Sequence, residues 1–120
     1  MPFANITPKE AYQKTKEGSA YLDVRTAEEF AAGHAKGAVN VPLFFKTPAG
    51  RQFNPDFLKQ VQKQFSAGNP LVVGCYSGGR SAQACEILEM EGYKQICNID
   101  GGFGGKPGQP GWKDLGLPTE

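Results

Sequence analysis

Apolar residues fall along the chain in short runs, each followed by a polar stretch with helical spacing. "FANI" (3–6), "AYLDV" (20–24), "AVNVP" (38–42), "PLVVG" (70–74) and "QICNI" (95–99) are short and apolar enough for strands buried on both faces. Between them lie segments with helix signals. "TPKE" at 7–10 sets Thr7 as an N-cap, Pro8 at the first helical position and Glu10 as the capping-box partner, predicting a helix to about Gly18. Thr26 and Glu29 repeat that signature in "TAEEF". In "NPDFLKQVQKQF", Asn54 is the expected cap, with Phe57, Leu58, Val61 and Phe65 on one face. A further helix over 80–91 turns Ala84, Cys85, Ile87 and Leu88 inward and stops at Gly92. Residues 43–53, "LFFKTPAGRQF", show no period and read as an irregular loop. The glycine- and proline-rich stretch from Gly101 to Glu120 reads as a wrapping loop with one helical turn near 112–115.

Strands alternating with helices imply βαβ crossovers of right hand, and so an α/β domain with a parallel sheet covered on both faces. At 120 residues the chain is expected to form one domain, 1–120, around a single core. Charged residues make up 21% and nearly cancel, leaving a formal +1. That balance offers neither a basic stripe for nucleic acid nor an acidic tail. No apolar run approaches the ~20 residues of a membrane helix, and the N-terminal residues lack the pattern of a secretory signal. The expected setting is cytoplasmic, or organellar if a transit peptide has been removed.

Three cysteines, an odd number without framework spacing, favour free thiols over disulfides. With no CxxC pair and a single histidine, no metal site is expected. His34 reads as a turn or packing residue. Cys85 and Cys97 fall at core positions of a helix and a strand. Cys75 differs. It follows "LVVG" at the carboxyl end of a strand, where open parallel sheets bind ligands. Tyr76, Ser77, Gly78 and Gly79 must then turn the chain into a helix near Arg80 and Ser81. Glycines permit the positive φ angles that aim N–H groups inward, and the helix N-terminus adds more. A thiol in that field ionises readily. Arg80 adds a cation able to hold an oxyanion, and Tyr76 is expected on the rim.

"CYSGGRS" resembles the active-site loop of the rhodanese family, the single-domain sulfurtransferases. "YLDVRTAEEFAAGHAKGAVNVP" is similar to that family's N-terminal signature and "NIDGGFGG…W…LGLPT" to its C-terminal one, together covering nearly the whole chain. The departures, 43–53 and "GGKPGQPG", concern the entrance rather than the loop. The resemblance implies a three-layer α/β/α domain with a five-stranded parallel sheet. It implies that sulfur moves through a covalent persulfide on Cys75 from a small donor such as thiosulfate to cyanide or a thiol; a monomer without a cofactor is expected, with a thiol-bearing protein as a further acceptor. Tyr76 to Ser81 would bind substrate, while Asp23, Arg25 and Glu29 would support the loop by ion pairs or hydrogen bonds. Phosphatase and arsenate reductase chemistry, hosted by the same fold, goes with five residues between cysteine and arginine; here there are four. A persulfide carrier and a non-catalytic interaction module are two more functions compatible with the resemblance.

Overall fold

A computed structural model describes residues 3–120. Its elements are β1 (Ala4–Ile6), α1 (Pro8–Lys16), β2 (Ala20–Asp23), α2 (Ala27–Ala32), β3 (Val39–Asn40), β4 (Phe44–Thr47), β5 (Gly50–Phe53), α3 (Phe57–Gln64), β6 (Leu71–Gly74), α4 (Gly79–Met90) and β7 (Ile96–Ile99). Five strands form one parallel sheet in the order β1-β7-β6-β2-β3. Because side chains alternate across a strand, each apolar strand feeds both faces. Leu22, Leu71, Val73 and Ile96 point to a core shared with Phe57 and Val61 of α3 and with Ala84, Cys85 and Leu88 of α4. Tyr21, Val72 and Ile99 point the other way, onto Ala11 of α1 and onto Phe103 and Trp112 of the C-terminal segment. The result is the three-layer α/β/α arrangement.

Both capping boxes form. The Thr7 side chain accepts from the Glu10 N–H and the Glu10 carboxylate from the Thr7 N–H, and Thr26 and Glu29 pair likewise. The C-terminal segment wraps as expected. The Trp112 indole donates to the Pro118 carbonyl at 2.7 Å and meets the edges of Tyr12 and Tyr21.

Five local expectations change. Residues 43–53 are not irregular: β4 and β5 form an antiparallel hairpin around Pro48 and Ala49, with Phe44 opposite Phe53. All of β5 is exposed, so no inside–outside alternation marks it. Asn54 does not cap α3. Its Oδ1 accepts from the Asp56 N–H at 3.0 Å, while its Nδ2 donates to the Pro42 carbonyl and to Gln60, which clamps the base of the hairpin. Helix α3 ends before Phe65, and β3 shrinks to two residues. Cys97 is half-buried rather than core.

Candidate active site

Cys75 follows β6 at the carboxyl edge of the sheet and is 1% exposed. Its Sγ accepts a hydrogen bond from the Gly78 N–H at 3.1 Å and lies 3.4 Å from the Ser81 hydroxyl. What aims the loop is the segment after β7. The N–H groups of Phe103, Gly104 and Gly101 donate to the carbonyls of Cys75, Tyr76 and Ser77 at 2.9, 2.8 and 2.9 Å. In a planar trans peptide the N–H opposes its carbonyl. Tying down three successive carbonyls therefore turns the N–H groups of Tyr76, Ser77 and Gly78 to the other side. Among the described residues, those of Tyr76 and Ser77 have no protein acceptor. Of the two loop glycines only Gly78 needs its freedom, with φ +123°; Gly79 opens α4 with ordinary backbone.

This anchoring demands close approach. A Cβ on Gly102 (φ +51°) would overlap the carbonyl of Cys75 and meet Tyr76 backbone, whereas one on Gly79 would meet nothing within 4 Å. Gly102→Ala is expected to cost about 2–3 kcal/mol from backbone strain and displacement of the loop. Gly79→Ala should leave stability unchanged or raise it by up to about 1 kcal/mol. Urea unfolding of the two variants checks the contrast, and equal stabilities would contradict it.

Ser81 is fully buried behind the sulfur. Its one hydroxyl proton faces three acceptors: Cys75 Sγ, the Gly78 carbonyl at 3.1 Å and Asn98 Oδ1 at 2.5 Å. Asn98, 2% exposed in β7, donates in turn to Asn5 Oδ1 at 2.9 Å. Asn98 is the residue beneath the loop that sequence reasoning missed. Its signal was an amide inside the otherwise apolar strand "ICNI".

Tyr76, Ser77, Gly79, Arg80, Glu29, Arg51 and Gln83 line a cleft of about 500 Å³ with Cys75 at its base. Tyr76 is 42% exposed at the rim, as expected. Arg80 is engaged rather than open. Its Nη1 and Nη2 donate to the two carboxylate oxygens of Glu29 at 2.6 and 3.1 Å. The same carboxylate closes the capping box of α2, so one acid ties that helix to the start of α4. The Arg80 hydrogen bonds hold the Glu29 carboxyl down at about 2, against an ordinary 4.5. A depressed acid stabilises the fold fully above the ordinary value and loses that contribution as the pH falls toward the folded one. Glu29→Gln should therefore lower the urea midpoint at pH 7, with the deficit shrinking between about pH 4.5 and 3. A deficit constant over that range would contradict the pairing.

Asp23 and Arg25 do not reach the cleft. They form a second, separate pair, 1% and 2% exposed, at 2.8 Å. Arg25 also donates to the Gly33 carbonyl and lies over the Phe103 ring. The pair thereby braces the segment that holds the cysteine loop. His34 stacks on Phe30 with centroids 3.6 Å apart, a packing role. Cys85 is fully buried, and desolvation pushes its thiol far up. Cys97 lies in a hollow at the opposite, amino end of the strands.

Comparison with known proteins agrees with this geometry. The rhodanese-like domain profile matches residues 7–105. "Protein HIGH ARSENIC CONTENT 1, mitochondrial" of Arabidopsis thaliana is 46% identical over 100 residues, 83% of this chain, which spans 56% of that protein's length. "Thiosulfate sulfurtransferase 16, chloroplastic", also of Arabidopsis thaliana, is 40% identical over 98% of this chain and 92% of its own length. The crystal structure of Rv0390 from M. tuberculosis superposes with a TM-score of 0.85 at 25% identity, covering 100% of this chain and 98% of that one. By profile, by sequence and by fold, the chain belongs to the rhodanese-like domain family.

Proposed function

We propose that the chain is a sulfurtransferase that works through a persulfide on Cys75. The observation that carries this reading is the placement of Sγ at the base of a cleft, accepting the Gly78 N–H at 3.1 Å, inside a loop whose carbonyls are tied away from it. In the first step the Cys75 thiolate attacks the outer sulfur of thiosulfate. The bond between the two donor sulfurs breaks, sulfite leaves with the electron pair, and Cys75 becomes a persulfide. In the second step cyanide or a thiolate takes the outer sulfur and the Cys75 thiolate returns. The loop N–H groups stabilise negative charge on sulfur in both states.

Three further points support the reading. A relative matched over almost its whole length carries the name thiosulfate sulfurtransferase. The neutral four-residue loop between Cys75 and Arg80 suits one sulfur atom better than a tetrahedral phosphate or arsenate. The retained cysteine and its intact cradle argue against a purely non-catalytic module. A protein thiol as acceptor, the carrier variant, shares the first step. The chain is taken to act as a monomer, in the cytoplasm or, as the names of the two Arabidopsis relatives suggest for those proteins, in an organelle. No helix among the described residues is long and apolar enough to cross a membrane.

The test is thiosulfate added without acceptor. A burst of sulfite stoichiometric with Cys75, followed by no turnover until cyanide or a thiol is supplied, is expected. Sulfite release only when the acceptor is already present would overturn the two-step reading.

A further inference from the structure

The charge available to a donor in the cleft does not come from the cysteine loop. Tyr76, Ser77, Gly78 and Gly79 are neutral, and Arg80 is matched by Glu29 in a bidentate pair. The remaining charged side chain on the wall around Cys75 is Arg51, carried by β5 of the hairpin. Among the described residues Arg51 has no ion pair; its guanidinium carbon lies 5.6 Å from the centroid of Phe44. A second hollow of about 410 Å³ shares Arg51, Glu29 and Arg80 with the cleft, so Arg51 lines both.

We propose that Arg51 is the donor-recognition residue, and that the β4–β5 hairpin rather than the cysteine loop selects an oxyanionic sulfur donor. This inference rests on the sulfur-transfer reading above. Attack of the Cys75 thiolate on the thiosulfate dianion brings like charges together. As the sulfur–sulfur bond breaks, negative charge moves to the departing sulfite oxygens. An unpaired guanidinium fork is suited to planar, bidentate contact with such oxygens. Among the described residues the hairpin is clamped near its base, through Asn54 and the Leu43 N–H to the Val24 carbonyl at 3.1 Å, and it presents that fork at the entrance. Lys113 lies beyond Tyr76, 5.4 Å from its ring centroid, and lines a different hollow.

The experiment compares alkylation of Cys75 by iodoacetate and by neutral iodoacetamide, followed on the peptide that contains it. In Arg51→Gln the iodoacetate-to-iodoacetamide rate ratio is expected to fall about fivefold at low salt, a difference that about 0.5 M salt should erase. Arg51→Lys should recover most of the ratio, and Lys9→Gln on α1, outside both hollows, should leave it at the parental value. In steady-state assays Arg51→Gln should lower kcat/KM for thiosulfate about tenfold and change kcat/KM for an uncharged thiol acceptor far less. An unchanged alkylation ratio in Arg51→Gln, with iodoacetamide reacting as in the parent, would overturn the proposal. A parent protein that transfers no sulfur would instead count against the function proposed above, while the alkylation ratio would still decide the role of Arg51.

Discussion

Cys75→Ser is expected to lower thiosulfate-to-cyanide sulfur transfer by roughly three orders of magnitude or more, without loss of fold. The hydroxyl is close in size to the thiol, so Gly78 N–H and the anchored carbonyls keep their places. Chemically the exchange is severe, because the nucleophile is the thiolate and a serine oxygen neither ionises near neutral pH nor carries a second sulfur through a persulfide. The other two cysteines provide no substitute. Cys85 is sealed in the core between α4 and the sheet, where burial disfavours its thiolate. Cys97 sits at the far end of the strands, among Lys14, Pro70 and Lys94. Cys85→Ala and Cys97→Ala should keep activity if folded. Substantial transfer by Cys75→Ser, measured as thiocyanate formed, would remove Cys75 from the mechanism.

The second large effect concerns stability. Asp23→Ala leaves the Arg25 guanidinium buried beneath Phe103 with its countercharge gone. Both partners are almost fully buried, so water cannot replace the missing carboxylate, and a loss of about 3–5 kcal/mol is expected. Asp23 Oδ1 also accepts from the Arg25 backbone N–H at 3.0 Å, which holds the turn out of β2. Replacing both residues together, as Asp23→Ala with Arg25→Met, should recover part of the loss, since no unpaired charge then remains. Urea unfolding of the single and double variants decides the matter. A single variant within about 1 kcal/mol of the parent would show that Arg25 finds another partner.

What is legible in the chain divides along physical lines. Buried strands and capped helices announce themselves through local pattern, so "LVVG", "AYLD" and the Thr7 and Thr26 boxes appear where expected. The site cysteine is legible because strand, glycine turn and arginine are contiguous in sequence. The direction of its cradle is not. Glycine torsions alone point to the loop, yet the N–H groups of Gly101, Phe103 and Gly104 do the aiming, a contact between segments about 25 residues apart. Arg80 reads from sequence as an open anion fork because its partner, Glu29, lies 51 residues away and already has a capping role. The hairpin escapes for the opposite reason. Beyond Phe44, which packs against the core, it is held by backbone pairing and by the Phe44–Phe53 edge contact, so the pattern of apolar positions carries little trace of it.

The persulfide itself is the central claim, and the mass of the protein reports it directly. After brief exposure to thiosulfate and removal of excess donor, the intact protein should gain the mass of one sulfur atom. Peptide mapping under non-reducing conditions should place that sulfur on Cys75, and cyanide should remove it as thiocyanate. A protein of unchanged mass after exposure to donor, or a sulfur found on Cys85 or Cys97 with Cys75 free, would contradict the account.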